Sequence, residues 1–218
     1  MGLDLLWAAR LACAKRPTWM DGGCTMLDTA IRMINVEPFH KNLGDMLLAT
    51  ERCLQLQQHL PALVLIYSLV DSLAWAAAGD AQLSVRRRYE SWVSRWLLPE
   101  LVPFAPTVSA IDLYAARCAV LHTLTGDSDL SNAGQAKRFM YAWGTAKAEV
   151  LEAVIQEAKQ SSYVALHYDA LLTSLVRATG LFLESANNDP ALRARLEFAA
   201  AKHYINIDAT NATHEPSP

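Results

Sequence analysis

The sequence predicts an all-α fold, a helical bundle of about seven helices. Alanine, leucine and other helix-compatible residues are abundant, whereas the alternation of valine, isoleucine and threonine that is typical of strands is scarce. Apolar residues recur three and four positions apart in successive segments. Prolines and glycines stand between these segments, where helices usually begin and end. With 218 residues, 52% of them hydrophobic, the chain can bury a large core.

The two ends of the chain differ from its middle. Residues 1–25 contain a short amphipathic pattern without a charged region ahead of it, which argues against a secretory signal. We expect residues 1–25 to be a poorly defined N-terminal extension, which reflects a start codon placed too early, a loosely attached arm or a functional anchor. Residues 26–206 are predicted to form a single helical domain, and the polar residues 207–218 a flexible tail.

The first two helices of this domain are predicted from a stripe of apolar side chains and from two residues that begin or end helices. Residues 43–58 carry apolar side chains at helical spacing, and Pro61 opens a second helix that Gly79 ends. This second helix is apolar and long enough to span a bilayer. Asp71 in its middle would cost at least about 2.5–3.5 kcal/mol in lipid, and no basic flanks anchor the segment. We therefore expect a buried central helix and no membrane partner, with a membrane-associated protein as the alternative.

A third helix is predicted over residues 83–98. Its core-facing stripe consists of Tyr89, Trp92, Val93, Trp96 and Leu97. The outward side carries three consecutive arginines, Arg86, Arg87 and Arg88. Such a cluster is a candidate contact for an RNA backbone, although charge runs on helices are more often solvated faces.

The fourth helix, residues 109–124, contains the residues on which the functional interpretation depends. Ser109 and Asp112 form a predicted capping box at its start, and Gly126 is expected to end it. Near its far end lie Arg117 and His122. A guanidinium offers a planar fork of donors that fits phosphate, and an imidazole moves protons near neutral pH. Together they suffice, in principle, to cleave RNA without a metal.

The spacing of these two residues bears on where a site forms. Five positions on a helix separate them by roughly 140° around the axis and about 7.5 Å along it. They do not share a stripe, so a site completed by a second copy of the helix is favoured over one inside a monomer. The alternative is a core histidine and an arginine that is paired with Asp112 or another neighbour.

Two further residues are candidates for supporting roles. Asp71 needs a partner if its helix is buried, because a buried carboxylate must be paired or hydrogen-bonded. Arg117 is one candidate partner, and the end of a nearby helix is the other. Tyr114 lies one turn before Arg117 and is expected to share its face of the helix.

The rest of the chain is read as a loop followed by more helices. Residues 127–134 are expected to be a surface loop, and residues 138–143 either a short extended segment or a helix start. Tyr141 and Trp143 are candidates for stacking on bases, or more commonly for the core. Helices are predicted at 146–159, at 162–186, and from Asp189 and Pro190 to about Tyr204.

Composition excludes several classes of protein. A formal net charge of −3 excludes a globally basic nucleic-acid binder, although not a local basic patch. The four cysteines and six histidines show no metal-ligand spacing, so we expect neither a metal nor another cofactor. Without a disulfide framework, a cytoplasmic location fits best.

The motif in the fourth helix resembles that of a known family. Its sequence is similar to that of small stand-alone bacterial and plasmid-borne HEPN domains (higher eukaryotes and prokaryotes nucleotide-binding). The segment that carries the similarity is Asp112-Leu-Tyr-Ala-Ala-Arg117-Cys118-Ala-Val-Leu-His122-Thr-Leu-Thr-Gly126. The resemblance implies a HEPN-like helical bundle with Arg117 and His122 as the catalytic pair. Active members commonly carry Asn, Asp or His after the arginine, whereas this chain has Cys118.

The resemblance also implies a function. Many HEPN domains are metal-independent ribonucleases that place this motif at a homodimer interface and act as toxins or abortive-infection effectors. We therefore expect an endoribonuclease with an RNA substrate, a homodimer, and a cognate antitoxin as a candidate partner. The alternative is a non-catalytic HEPN-like helical module that binds a protein or a nucleotide, and Cys118 favours it slightly.

Overall fold

The computed structural model describes residues 37–79 and 82–202. This part of the chain forms eight helices and two strands. They are α1 (Glu37–Gln55), α2 (His59–Ala78), α3 (Val85–Trp92, continued by a π-helical segment Val93–Leu97 and a last turn Leu98–Leu101), α4 (Ala110–Thr123), α5 (Asp129–Asn132), β1 (Arg138–Ala142), α6 (Ala148–Glu157), β2 (Tyr163–His167), α7 (Tyr168–Asn188) and α8 (Pro190–Ala200). The helical fold class is confirmed, with a small sheet added. The predicted extension 1–25 and tail 207–218 lie outside the described residues.

Helix α2 is the central element of the bundle. It packs against α1, α3, α4, α7 and α8. Nine of its 20 residues are buried, and side chains such as Ile66, Tyr67 and Leu73 are almost fully so. Within the described residues it is the one helix long and apolar enough to cross a membrane, and half of that apolar window is buried inside the protein. The central position expected for this helix is observed.

Helix α3 carries the predicted core stripe but runs further than expected. Tyr89, Trp92, Val93 and Leu97 are buried, and Trp96 packs beside them on Phe182. The helix continues past Pro99 to Leu101. A proline ring clashes with the carbonyl four residues before it in a regular helix. The π-helical segment directly upstream widens the backbone at this point, so the chain accepts the proline without breaking.

Helix α4 begins as predicted and ends earlier. The Ser109 hydroxyl accepts from the Asp112 N–H, and one Asp112 oxygen accepts from the Ser109 N–H at 2.9 Å, which completes the capping box. The helix ends at Thr123, because Leu124 adopts a left-handed conformation with φ 55°. Gly126 is therefore not the residue that ends it.

The chain after α4 departs most from the sequence-based expectations. Residues 127–134 are not an open loop, because they contain α5, in which Ser131 is buried. Residues 138–142 are extended and form β1. β1 pairs in parallel with β2, in the register Arg138 to Tyr163. The predicted helix 162–186 was wrong at its start, because Tyr163–His167 is a strand and α7 begins at Tyr168.

The helices predicted at 146–159 and from Asp189 onward are observed with differences in burial and length. In α6 only Ile155 is buried, whereas Val150 and Val154 are exposed, so two large apolar side chains of this helix do not face the core. In α8 the Asp189 side chain accepts from two backbone N–H groups and Pro190 is the first helical residue, as predicted. The helix ends at Ala200, and Tyr204 lies outside the described residues.

One buried carboxylate fixes the start of α4 against the later half of the chain. Asp112 is 4% exposed. Its Oδ2 accepts from the N–H and the hydroxyl of Ser109, and its Oδ1 accepts from the Lys137 N–H at 2.7 Å, just before β1. Every described partner of this carboxylate is a donor. Asp112 therefore accepts hydrogen bonds both at the start of α4 and from the residue just before β1.

Replacing Asp112 by Ala should lower the free energy of unfolding by about 2–4 kcal/mol, because the cap is lost and the partly buried Lys137 N–H loses its acceptor. Urea denaturation measures the change. Asp45→Ala is the matched control, since Asp45 forms an exposed i,i+4 ion pair with Lys41 and should shift stability by less than about 0.5 kcal/mol. Equal effects of the two substitutions would contradict this role of Asp112.

A buried histidine in α1 makes the fold sensitive to acid. His40 is 2% exposed, and its Nε2 has no hydrogen-bond partner within the described part of the chain. Burial disfavours the charged ring and lowers the pKa of His40 to about 4. The neutral ring is therefore the form that the folded state accepts.

Because the folded-state pKa of His40 is lowered from 6.5 to about 4, its contribution is complete above pH 6.5 and is lost as the pH falls toward 4. Between about pH 7.5 and pH 5 this loss amounts to about 2 kcal/mol. His40→Phe keeps a buried ring that does not titrate. Urea unfolding at the two pH values should show a drop that is smaller in the variant by about this amount. An identical drop in both proteins would contradict the assignment.

Candidate functional site

The site lies where the middle of α2 meets the last turns of α4. Arg117 donates from Nε and from Nη2 to the same oxygen of Asp71, Oδ2, at 2.7 and 2.5 Å. The two side chains are 13% and 24% exposed, so the pair is sheltered but reaches the surface. Of the partners considered for Asp71, the structure selects Arg117. The arginine does not pair with Asp112, which the capping box uses.

This pairing holds the arginine in place and in its charged form. Partial burial alone lowers the pKa of Arg117, but the hydrogen bonds and attraction of Asp71 outweigh it and raise the pKa above its ordinary value. One edge of the guanidinium, Nε and Nη2, is committed to Asp71. The third nitrogen, Nη1, points to the rest of the site.

His122 accepts a hydrogen bond from this third nitrogen. Nη1 of Arg117 lies 3.0 Å from Nε2 of His122. A guanidinium nitrogen can only donate, so the imidazole Nε2 must be the acceptor. It follows that His122 is neutral in this arrangement and carries its proton on Nδ1. The imidazole is exposed and is not a core histidine.

The contact between Arg117 and His122 forms within one chain. Their angular separation on the helix led us to expect that a second copy would be needed to bring them together. The arginine side chain is long enough to reach along the helix and meet the imidazole, so no second copy is required for the contact. The homodimer itself stays a prediction.

Cys118 and Tyr114 lie on the flank of this group. Nη1 of Arg117 is 4.0 Å from the Cys118 sulfur, at hydrogen-bond range for a thiol. The half-buried ring of Tyr114 packs edge-on against Tyr89 at 5.5 Å. Burial first, and then the neighbouring Cys118, raise the pKa of Tyr114. Tyr114 therefore adjoins Cys118 and forms no hydrogen bond with Arg117 in this part of the structure.

A layer of buried tyrosines lies behind the Asp71–Arg117 pair. Tyr67, one turn before Asp71 on α2, shares a hydrogen bond of 2.6 Å with the hydroxyl of Tyr141 from β1. Tyr89 donates to the Leu113 carbonyl at 3.4 Å. Burial, followed by Tyr67 and Asp71, raises the pKa of Tyr89, so these phenols stay neutral. Sequence analysis predicted Tyr89 in the core and gave Tyr141 as a candidate for it, but it did not predict that these residues meet Tyr67 beside Asp71.

The two aromatic candidates for base stacking have different environments. Tyr141 is bound to Tyr67 and stacks on Tyr168 at 5.0 Å, so it belongs to the core. Trp143 is 47% exposed, with its ring 4.8 Å from that of His59. Only Trp143 presents a ring to solvent.

The three arginines of α3 also differ from one another. Arg86 donates to Glu90 at 2.7 Å and is partly neutralised. Arg87 is exposed and Arg88 half-buried, and neither forms an ion pair with a described residue. Their helix touches α4 through the contact of Tyr89 with Tyr114. The cluster therefore lies on an element that adjoins the site, although no contact joins it to Arg117 or His122.

The arrangement provides one fixed cation, one exposed imidazole and one carboxylate that orients the cation. In residues 37–79 and 82–202, no group of three or more histidine, cysteine, aspartate or glutamate side chains is placed to hold a metal ion. What the described site can offer a ligand is charge neutralisation and proton transfer. Comparison with known proteins gives no match, whether to family models, to curated proteins or to solved structures.

The His122 tautomer can be measured directly. Nitrogen-15 NMR of the imidazole at about pH 8 should show the proton on Nδ1, because Nε2 accepts from Arg117. Arg117→Met keeps the aliphatic stem but removes the donor, and the preference for Nδ1–H should be lost. Arg52→Met, on the exposed side of α1, should leave it unchanged. A proton on Nε2 in the unaltered protein would contradict the observed contact.

Proposed function

We propose that this chain is a metal-independent endoribonuclease of HEPN type. The observation that carries the proposal is the contact of an exposed imidazole, His122, with a guanidinium that a carboxylate holds in place. The Arg-x4-His spacing and its flanking residues, which resemble those of HEPN domains, support the same conclusion. Both kinds of support point to the same two side chains.

The reaction is transesterification within the RNA backbone. The 2′-hydroxyl oxygen attacks the neighbouring phosphorus, the bond from phosphorus to the 5′ oxygen breaks, and the products end in a cyclic phosphate and a 5′-hydroxyl. Arg117 stabilises the negative charge that builds up on the phosphoryl oxygens. His122 transfers a proton, either from the attacking hydroxyl or to the leaving oxygen.

Asp71 acts on the substrate through Arg117 and is a positioning residue. By binding Nε and Nη2, it fixes the plane of the guanidinium and directs Nη1 toward His122. The buried phenols behind it exclude water from this side of the ion pair. We assign Tyr114 only a packing role beside Cys118, because no hydrogen bond links it to Arg117.

The RNA would approach over the exposed side of His122. Of the three arginines on α3, Arg87 and Arg88 are free of ion pairs with described residues and are the better candidates for phosphate contacts. Arg86 is partly neutralised by Glu90 and contributes less. These contacts would add to affinity without reading sequence.

The biological setting follows from the same resemblance. A stand-alone HEPN-type ribonuclease fits a toxin or an anti-phage abortive-infection effector in the cytoplasm, with a cognate antitoxin as partner. We further propose a homodimer. Since Arg117 and His122 meet within one chain, a second copy would serve to shape the groove for RNA and not to complete the pair.

A second function is favoured by one observation. All three guanidinium nitrogens of Arg117 already donate hydrogen bonds within the protein, to Asp71, His122 and the Cys118 sulfur. This is the pattern of an arginine with a purely structural role. Together with Cys118 at the position where active HEPN domains commonly carry a polar residue, this fits a non-catalytic module that binds a protein or a nucleotide. The two functions differ in whether RNA is cleaved.

Purified protein should degrade total RNA in excess EDTA. Arg117→Ala and His122→Ala should each lower the rate by about 100-fold or more, the size expected for loss of a charge-stabilising or proton-transferring group. Asp71→Asn should lower it less, because the guanidinium is kept but is less well oriented. Gel analysis of the RNA over time measures the rates.

Arg52→Ala, on an exposed position of α1, is the matched control and should retain full activity. Circular dichroism confirms that each variant is folded. If the folded protein cleaves no RNA, or if cleavage persists in both the Arg117 and the His122 variants, the nuclease is excluded and the binding module remains.

A further inference from the structure

We infer that the site binds a phosphodiester together with a proton, which His122 takes up on Nε2 from the solvent. The inference rests on the proposed function, because the phosphodiester is that of the RNA substrate. It adds the charge state in which the substrate is bound and which of the two proton-transfer roles His122 performs.

In the ligand-free arrangement the Nε2 lone pair of His122 is occupied. It accepts the hydrogen bond from Nη1 of Arg117 at 3.0 Å. Nη1 is also the guanidinium nitrogen that does not bind Asp71, and its two hydrogens are directed at His122 and at the Cys118 sulfur. A phosphate that binds Nη1 directly must therefore compete with His122 for it.

A proton on Nε2 removes this competition. The protonated ring has no lone pair left and can only donate, and it would then place two cations 3.0 Å apart. The imidazolium must turn away from Arg117, or an anion must come between the two. A phosphate oxygen between them accepts from Nη1 on one side and from Nε2–H on the other, which satisfies both donors.

The balance of charge favours the protonated complex. Asp71 and Arg117 already cancel each other. A phosphodiester alone would bring one uncompensated negative charge, whereas a phosphodiester together with a protonated His122 leaves the site neutral. His122 also lies in the last turn of α4, where the carbonyl ends of the helix stabilise a cation.

The other ionisable groups around His122 do not supply this compensation. His122 contacts Arg117, and the groups that interact with Arg117 are Cys118 and Tyr114 on α4, Asp71 on α2 and Tyr89 on α3. Asp71 is engaged by Arg117, and Asp127 beyond the end of α4 is paired with Arg138. No described carboxylate pairs with His122. The ligand itself must therefore stabilise the proton.

This coupling assigns the acid role to His122. The bound substrate meets an imidazolium, which gives its Nε2 proton to the 5′ oxygen as the bond from phosphorus to that oxygen breaks. The proton of the attacking 2′-hydroxyl passes to solvent water. Arg117 stays charged throughout and stabilises the phosphoryl oxygens.

Isothermal titration calorimetry measures the proton directly. The probe is a six-nucleotide 2′-O-methyl oligouridine, whose phosphodiesters do not titrate near neutrality and whose blocked 2′ oxygen prevents cleavage. Titrations at about pH 7.5 in buffers of different ionisation enthalpy should show uptake of a substantial fraction of one proton per bound oligonucleotide. The affinity should fall as the pH rises, by at most tenfold per pH unit.

His122→Gln keeps an oxygen acceptor and an N–H donor but does not titrate, so its binding should show neither proton uptake nor this pH dependence. His214→Gln, in the C-terminal tail outside the described residues, is the matched control and should behave like the unaltered protein. Nitrogen-15 NMR of the unaltered protein gives an independent readout, because the oligonucleotide should convert His122 to the doubly protonated ring.

The inference is overturned if the oligonucleotide binds without proton uptake, if the uptake persists in His122→Gln, or if the oligonucleotide does not bind at all. These outcomes are separable from failure of the proposed function. RNA cleavage without proton-linked binding removes the inference and keeps the nuclease. Proton-linked binding without cleavage keeps a phosphodiester site and removes the nuclease.

Discussion

The ion pair between Asp71 and Arg117 is the interaction on which the site depends. A carboxylate in the middle of the most apolar helix and an arginine that is largely buried are each unfavourable alone, because a desolvated charge needs a partner. Together they cancel each other, and two hydrogen bonds to one oxygen fix the plane of the guanidinium. The third guanidinium nitrogen, Nη1, points away from Asp71 and donates a hydrogen bond to His122.

The fold presents Arg117 and His122 together at the surface. Asp112 attaches the start of α4 to the segment that enters β1, and the left-handed residue Leu124 ends the helix just beyond His122. α2, α3 and β1 supply the tyrosines that close the inner side of the site. The catalytic proposal therefore requires no mobile loop to bring Arg117 and His122 together, since both residues lie on α4.

Much of the fold and of the site could be predicted from local sequence patterns, whereas contacts between segments that are distant in the sequence could not. The capping box of Ser109 and Asp112 follows from adjacent residues, and Arg117 was one of the two partners that the need of a buried carboxylate for a counter-charge or a hydrogen bond suggested for Asp71. The strand Tyr163–His167 was missed because a five-residue apolar run has no period of its own and is specified only by pairing with β1. The contact of His122 was misjudged because helix geometry places backbone positions and not the reach of an arginine side chain.

In the proposed mechanism Arg117 is the charge-stabilising group and His122 is the proton donor to the leaving oxygen. A modified RNA distinguishes these two roles. In an RNA whose scissile 5′ oxygen is replaced by sulfur, the leaving group needs no proton. We predict that His122→Ala, inactive on ordinary RNA, cleaves the sulfur-containing substrate about as fast as the unaltered protein, whereas Arg117→Ala remains impaired on both. If His122→Ala is equally impaired on both substrates, or if no variant of the protein cleaves either one, the central claim is wrong.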